Sequence, residues 1–138
     1  HPDPCWGYRI EADGKVFSHC VDNEMKRFTR EALGEDLPLY QGIDLAVMDA
    51  QYSLFESMEK VNWGHGSAVG CLEVAMREAI RQVLFVHHDP AASDTKIALA
   101  DTEARIVYDR YLKMAAHTNR LFHEVKWAFV GDGTCIEL

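Results

Sequence analysis

The chain of 138 residues contains no apolar run near the roughly 18 residues that a transmembrane helix requires. No membrane partner is expected. Its first residues, His1-Pro2-Asp3-Pro4, are not a basic segment followed by an apolar one, so no secretory signal is read there. Basic residues are few: 14 Lys and Arg against 22 Asp and Glu leave a formal net charge of −8. No Lys/Arg cluster stands out as a patch for a phosphodiester backbone, which disfavours simple nucleic-acid binding. The four cysteines, Cys5, Cys20, Cys71 and Cys135, have no C-x-x-C spacing and give neither a zinc ribbon nor a disulfide framework. A reducing compartment, the cytoplasm, is the expected location. Linkers, repeats and low-complexity tracts are also absent, so residues 1–138 read as a single domain. What is present is 48% hydrophobic and 26% charged residues, the balance of a globular chain. A chain this long buries roughly 68% of the surface its unfolded form exposes, without needing disulfides.

The local patterns alternate between strand and helix. Trp6 to Ile10 and Lys15 to Cys20 are short aromatic and β-branched stretches joined through Asp13-Gly14, a hairpin turn signal. Glu24 to Leu33 shows a weak helical pattern that stops at Gly34, and Leu37 to Gly42 reads as a short helix or turn. Ile43 to Met48 is nearly all apolar and too short for a buried helix, so it reads as a buried strand. Ser53 with Glu56 three residues later has the spacing of a capping box. Ser67 caps the next helix, whose stripe runs from Val69 to Ile80. Gln82 to Val86 is a second buried strand, and Ser93 to about His117 the longest helix. Val125 to Val130, the turn Gly131-Asp132-Gly133 and Thr134 to Leu138 predict a terminal hairpin. The strand–helix–strand order around Ile43 to Val86 implies parallel strands in a covered sheet.

Polar residues sit where those strands end. Asp22 follows Val16 to Val21, Asp49 follows Ile43 to Met48, and His87 follows Gln82 to Val86. Sheets with parallel strands bind ligands beyond their carboxyl ends, where loops are free and strands hold them rigid. Imidazole with carboxylate is the ligand set of a hydrolytic zinc, manganese or iron site. Each strand-end aspartate taken singly is also a common turn former or helix cap. Of His87 and His88, adjacent on a strand, only one is expected to face such a site. Trp63-Gly64-His65-Gly66-Ser67 flanks a histidine with glycines ahead of a helix, the composition of a loop that approaches something closely. Asp89 fits a turn as well as a pocket wall. His19, His117 and His123 read as solvated or structural, Cys20 and Cys71 as small core residues.

In order along the chain, Gly7-Tyr8-Arg9-Ile10, Asp22-Asn23-Glu24, Asp49-Ala50-Gln51-Tyr52, Trp63-Gly64-His65-Gly66-Ser67 and Leu84-Phe85-Val86-His87-His88-Asp89-Pro90 resemble the C-terminal half of a metallo-β-lactamase-fold hydrolase. The branch most similar is the phosphodiesterase-like one that includes ribonuclease Z. The resemblance implies an α/β (α+β) fold: the C-terminal half of an αββα sandwich, a mixed sheet flanked by helices. It also implies a terminal hairpin from Trp127 to Leu138. By the same resemblance Asp22 would bridge two divalent metals, zinc or else manganese or iron, and His1 and His87 would ligate them. Asp49 and His65 would form a catalytic pair in which the carboxylate orients the imidazole and the imidazole protonates a leaving alkoxide. Gly66 stands where the family usually has serine.

The family's H-x-H-x-D-H motif is absent. Truncation is the most economical expectation, with a complementary N-terminal half on another chain and a non-catalytic remnant as alternatives. Half a two-sheet sandwich exposes the face meant for the other sheet, so a homo-oligomer is the further expectation. The expected function is metal-dependent hydrolysis, by a metal-bridging hydroxide, of a small-molecule or nucleotide phosphodiester or related ester. The alternatives are a half-domain that acts in binding or self-association, and a small domain holding one ion through His1, Asp22 and His87.

Overall fold

Asp13 and Gly14 both adopt positive φ, 50° and 73°, the backbone of the tight turn that matches strand twist. They join β1 (Tyr8–Ala12) to β2 (Lys15–Cys20), paired antiparallel with Ala12 opposite Lys15. The computed structural model describes residues 3–117 and 122–138. Beyond β2 the chain has no regular secondary structure up to α1 (Arg30–Leu33), capped by the Thr29 side chain. The helix expected from Glu24 is therefore confined to its last turn. The cause is tertiary: Met25 is drawn into the core, and the Glu24 carboxylate accepts from the backbone N–H of Asn62 and Gly64.

A 3₁₀ segment (Gly34–Leu39) leads to β3 (Leu45–Asp49). At α2 (Leu54–Glu59) the Ser53 hydroxyl accepts from Glu56 N–H, and the Glu56 carboxylate accepts from Ser53 N–H, completing the capping box. Ser67 caps α3 (Ala68–Arg77), which is buried over most of its length, and β4 (Gln82–Val86) follows. α4 (Asp94–His117) is long and largely exposed, with Ala104 buried against the core. Tyr108 on α4 both donates to Val125 O (3.1 Å) and accepts from Val125 N–H (3.0 Å), fixing the entry to β5 (Lys126–Phe129). The expected second strand of a terminal hairpin does not form. Thr134 to Leu138 is exposed throughout and joins no ladder.

The five strands lie in the order β1-β2-β3-β4-β5, the first pair antiparallel and the rest parallel. Each crossover advances one strand in the same direction, so right-handed connections place their helices on one face. There Cys20, Met48 and Phe85, in register across the sheet, pack with Leu72, Val74 and Ala104 of α3 and α4. The mixed sheet with helices is the expected fold class. Among the described residues no helix is long and apolar enough to cross a membrane.

Candidate metal centre

Parallel pairing of β2, β3 and β4 brings their carboxyl ends to one edge of the sheet, and with them Asp22, Asp49 and His87. Asp22 and His87 turn there with φ of 53° and 60°, backbone that non-glycine residues adopt at a cost of order 1 kcal/mol or more. His65 joins them from the loop before α3. Its approach depends on Gly66, whose added Cβ would stand 3.1 Å from Asn23 O and 3.4 Å from Asp49 O. A side chain at this position would require the Asn23 backbone to give by a few tenths of an ångström. Gly66 N–H also donates to Asp49 Oδ1 (3.2 Å), tying loop to strand.

Asp22, Asp49, His65 and His87 each offer one ligand atom within 4.8 Å of the others. Asp49 is fully buried and engaged on both oxygens: Oδ1 accepts from Gln51 and Gly66 N–H, Oδ2 from His65 Nδ1 at 3.0 Å. The His87 ring has two carboxylate neighbours. Its Nδ1 lies 3.1 Å from Asp49 Oδ2 and its Nε2 lies 3.3 Å from Asp22 Oδ1. A neutral imidazole carries one N–H, so one of these approaches sets a lone pair against a carboxylate oxygen. Among the described residues no lysine or arginine pairs with Asp22 or Asp49. Two carboxylates and two imidazoles with unneutralised negative charge form a donor set that fits a divalent cation.

The neighbouring histidine turns away. His88 Nε2 approaches Val130 O (3.2 Å) and its ring stacks on Phe129, while Asp89 Oδ1 accepts from Ala91 N–H in a turn. His1 lies outside the described residues. Cys20 and Cys71 are buried free thiols, both pushed up by burial.

Two contributors went unassigned from sequence. Burial alone would raise the Glu24 carboxyl, but N–H groups of Asn62 and Gly64 together with Lys26 outweigh it and hold the group below its ordinary value. Glu24 thereby anchors the loop that carries His65. Tyr52, buried, sets its ring edge-on to His65 with centroids 5.8 Å apart. Neither role has a sequence signal beyond proximity to the strand-end motifs.

No family model matches the sequence, and no curated protein matches it. Among solved structures, the crystal structure of the metallo-beta-lactamase fold protein YhfI from Bacillus subtilis matches with a TM-score of 0.58 at 15% identity, covering 93% of this chain. The chain has part of the metallo-β-lactamase fold. It spans 43% of the length of YhfI, less than half. At this identity the match shows a shared fold. Within that fold, the carboxyl edge of β2, β3 and β4 is where this sequence gathers its acidic and imidazole side chains.

Proposed function

We infer that this chain contributes part of the active centre of a divalent-metal-dependent hydrolase, with a phosphodiester or related ester as substrate. The observation that carries the reading is the His87 ring held between two carboxylates with one proton at most to share in its neutral form. Asp22 and His87 would hold the ion, with His1 a further ligand. A bound zinc, manganese or iron ion supplies Lewis acidity and a nucleophile near neutral pH. Asp49 orients the His65 ring through Nδ1, and in this reading the imidazole passes a proton to the departing oxygen.

The test is direct titration of the metal-free chain with zinc and with manganese, read by calorimetry and elemental analysis. Saturable binding near one ion or more per chain is expected. It should fall at least tenfold in Asp22→Ala and in His87→Asn, the latter chosen because asparagine tolerates left-handed backbone. No binding to the unaltered chain, or equal binding by both variants, overturns the reading.

A second reading rests on a separate observation. Tyr8 and Ile10, 58% and 53% exposed, share by alternation the sheet face away from the helices with Phe17 and Leu45. The exposed Tyr8 and Ile10 on that face favour an assembly role, with a complementary half or a second copy as their cover.

A further inference from the structure

Beside the acidic and imidazole cluster, on the helix side of the sheet, α2 and α4 enclose a cavity of about 330 Å³. That is within the range of small-ligand sites. Phe55, Ile97, Leu99 and Ala100 make its wall largely apolar. It meets the cluster through two stretches of chain: Ala50 to Tyr52 directly after Asp49, and His88 with Asp89 directly after His87. Tyr52 belongs to both regions, since it lines the cavity and packs its ring against His65.

Two features define what the cavity accepts. The first is a donor without a protein acceptor: the ring of Tyr52 is buried, and its hydroxyl, which still reaches solvent, has no hydrogen-bond partner among the described residues. A neutral acceptor on a ligand that replaces water at this hydroxyl gains a directed hydrogen bond beside a largely apolar wall. The second feature is charge. Glu56, Asp89 and Glu103 line the cavity with a single ammonium, Lys96, which Glu56 already holds at 2.8 Å. Lys60 stands 4.2 Å over the Tyr52 ring but does not line the cavity, and even with it the carboxylates outnumber the ammoniums. Anionic occupants are therefore disfavoured.

We propose that this cavity is a substrate subsite that receives an uncharged aromatic substituent, oriented by a hydrogen bond from the Tyr52 hydroxyl to a neutral acceptor on that group. The assignment rests on the hydrolase reading for its place in a reaction. It selects substrates with one neutral aromatic arm over those carrying a second anionic group on that side.

The test uses benzamide, a neutral ring with a carbonyl acceptor, and benzoate, its anionic counterpart of nearly equal shape. Each is titrated into the isotopically labelled chain with chelator present and followed by amide chemical shifts. Benzamide should shift residues around Tyr52, Ala100 and Phe129 saturably. Its affinity should fall about fivefold in Tyr52→Phe, which keeps the ring and removes the donor. It should be lost in Ala100→Phe, which fills the space from the half-buried α4 wall. Benzoate should bind about tenfold more weakly, as expected of a surplus of negative charge at close range. No benzamide shifts, shifts indifferent to both substitutions, or benzoate binding as tightly as benzamide each overturn the proposal. Because chelator is present, these outcomes are independent of the zinc and manganese titrations, and failure of those overturns the metal reading alone.

Discussion

Asp49 illustrates how burial sets the role of a carboxylate. Fully buried, it accepts two backbone N–H groups on Oδ1 and the His65 ring on Oδ2, and His87 Nδ1 lies 3.1 Å from the same Oδ2. Such a group positions its neighbours more than it contacts a substrate. In Asp49→Asn the amide oxygen can keep the backbone donors, but the NH2 then turned to the imidazoles makes them accept through Nδ1, which reverses the tautomer the carboxylate sets. Metal affinity is expected to fall by about 10- to 100-fold, the usual effect of losing a partner that orients ligands. Unfolding free energy should fall by about 2 kcal/mol as charge-assisted hydrogen bonds are lost. Metal titration paired with urea unfolding checks both. Equal loss of stability with unchanged affinity would mean that Asp49 supports the fold and not the imidazoles. Asp22, Asp49 and His87 were legible because a polar residue at the end of a buried apolar run stands out. Glu24 and Tyr52 were not, since one acts on a loop about 40 residues away and the other through a ring contact, neither of which leaves a local pattern.

Elements whose limits are written in local chemistry formed where the sequence placed them. The capping box of Ser53 and Glu56, the Ser67 cap and the Asp13-Gly14 turn are each complete within four residues. The segment from Glu24 to Thr29 departed from its helical pattern because Met25 and Glu24 are claimed by distant partners. α2 shows both kinds of information together. Its cap is local, but Lys96 of α4 also pairs with Glu56 at 2.8 Å. Lys96 first, and then the Ser53 N–H, lower the Glu56 carboxyl from 4.5 to about 2. A carboxyl lowered on folding stabilises fully above its unfolded value and loses that contribution as pH falls through the folded one. The window here runs from pH 4.5 down to about 2. Thermal unfolding across it should show the unaltered chain losing about 1 kcal/mol more than Glu56→Gln, a figure reduced for solvent screening of a partly exposed pair. Parallel curves for the two proteins would mean that the Lys96 pair contributes nothing on folding.

At the scale of the whole molecule, the sheet is unequal across its two faces. The helix side packs Met48, Val83 and Phe85 into the core, whereas the other side holds Ile10, Phe17, Leu45 and Leu84 by strand alternation. Local opening is set by how much a segment buries, so β3 and β4, central and paired on both sides, should exchange their amide hydrogens most slowly. β1 pairs only with β2 and exposes Tyr8 and Ile10, so it should exchange early. Exchange measured at several protein concentrations then bears on the assembly reading. If copies cover this face, protection of Tyr8–Ala12 rises with concentration, and Ile10→Glu removes the rise while leaving β3 and β4 unchanged. Protection that is independent of concentration, with Ile10→Glu indistinguishable from the unaltered chain, would reject self-association through this face. The metal titration is unaffected by either result, because the cluster at the carboxyl edge is built from side chains of one chain.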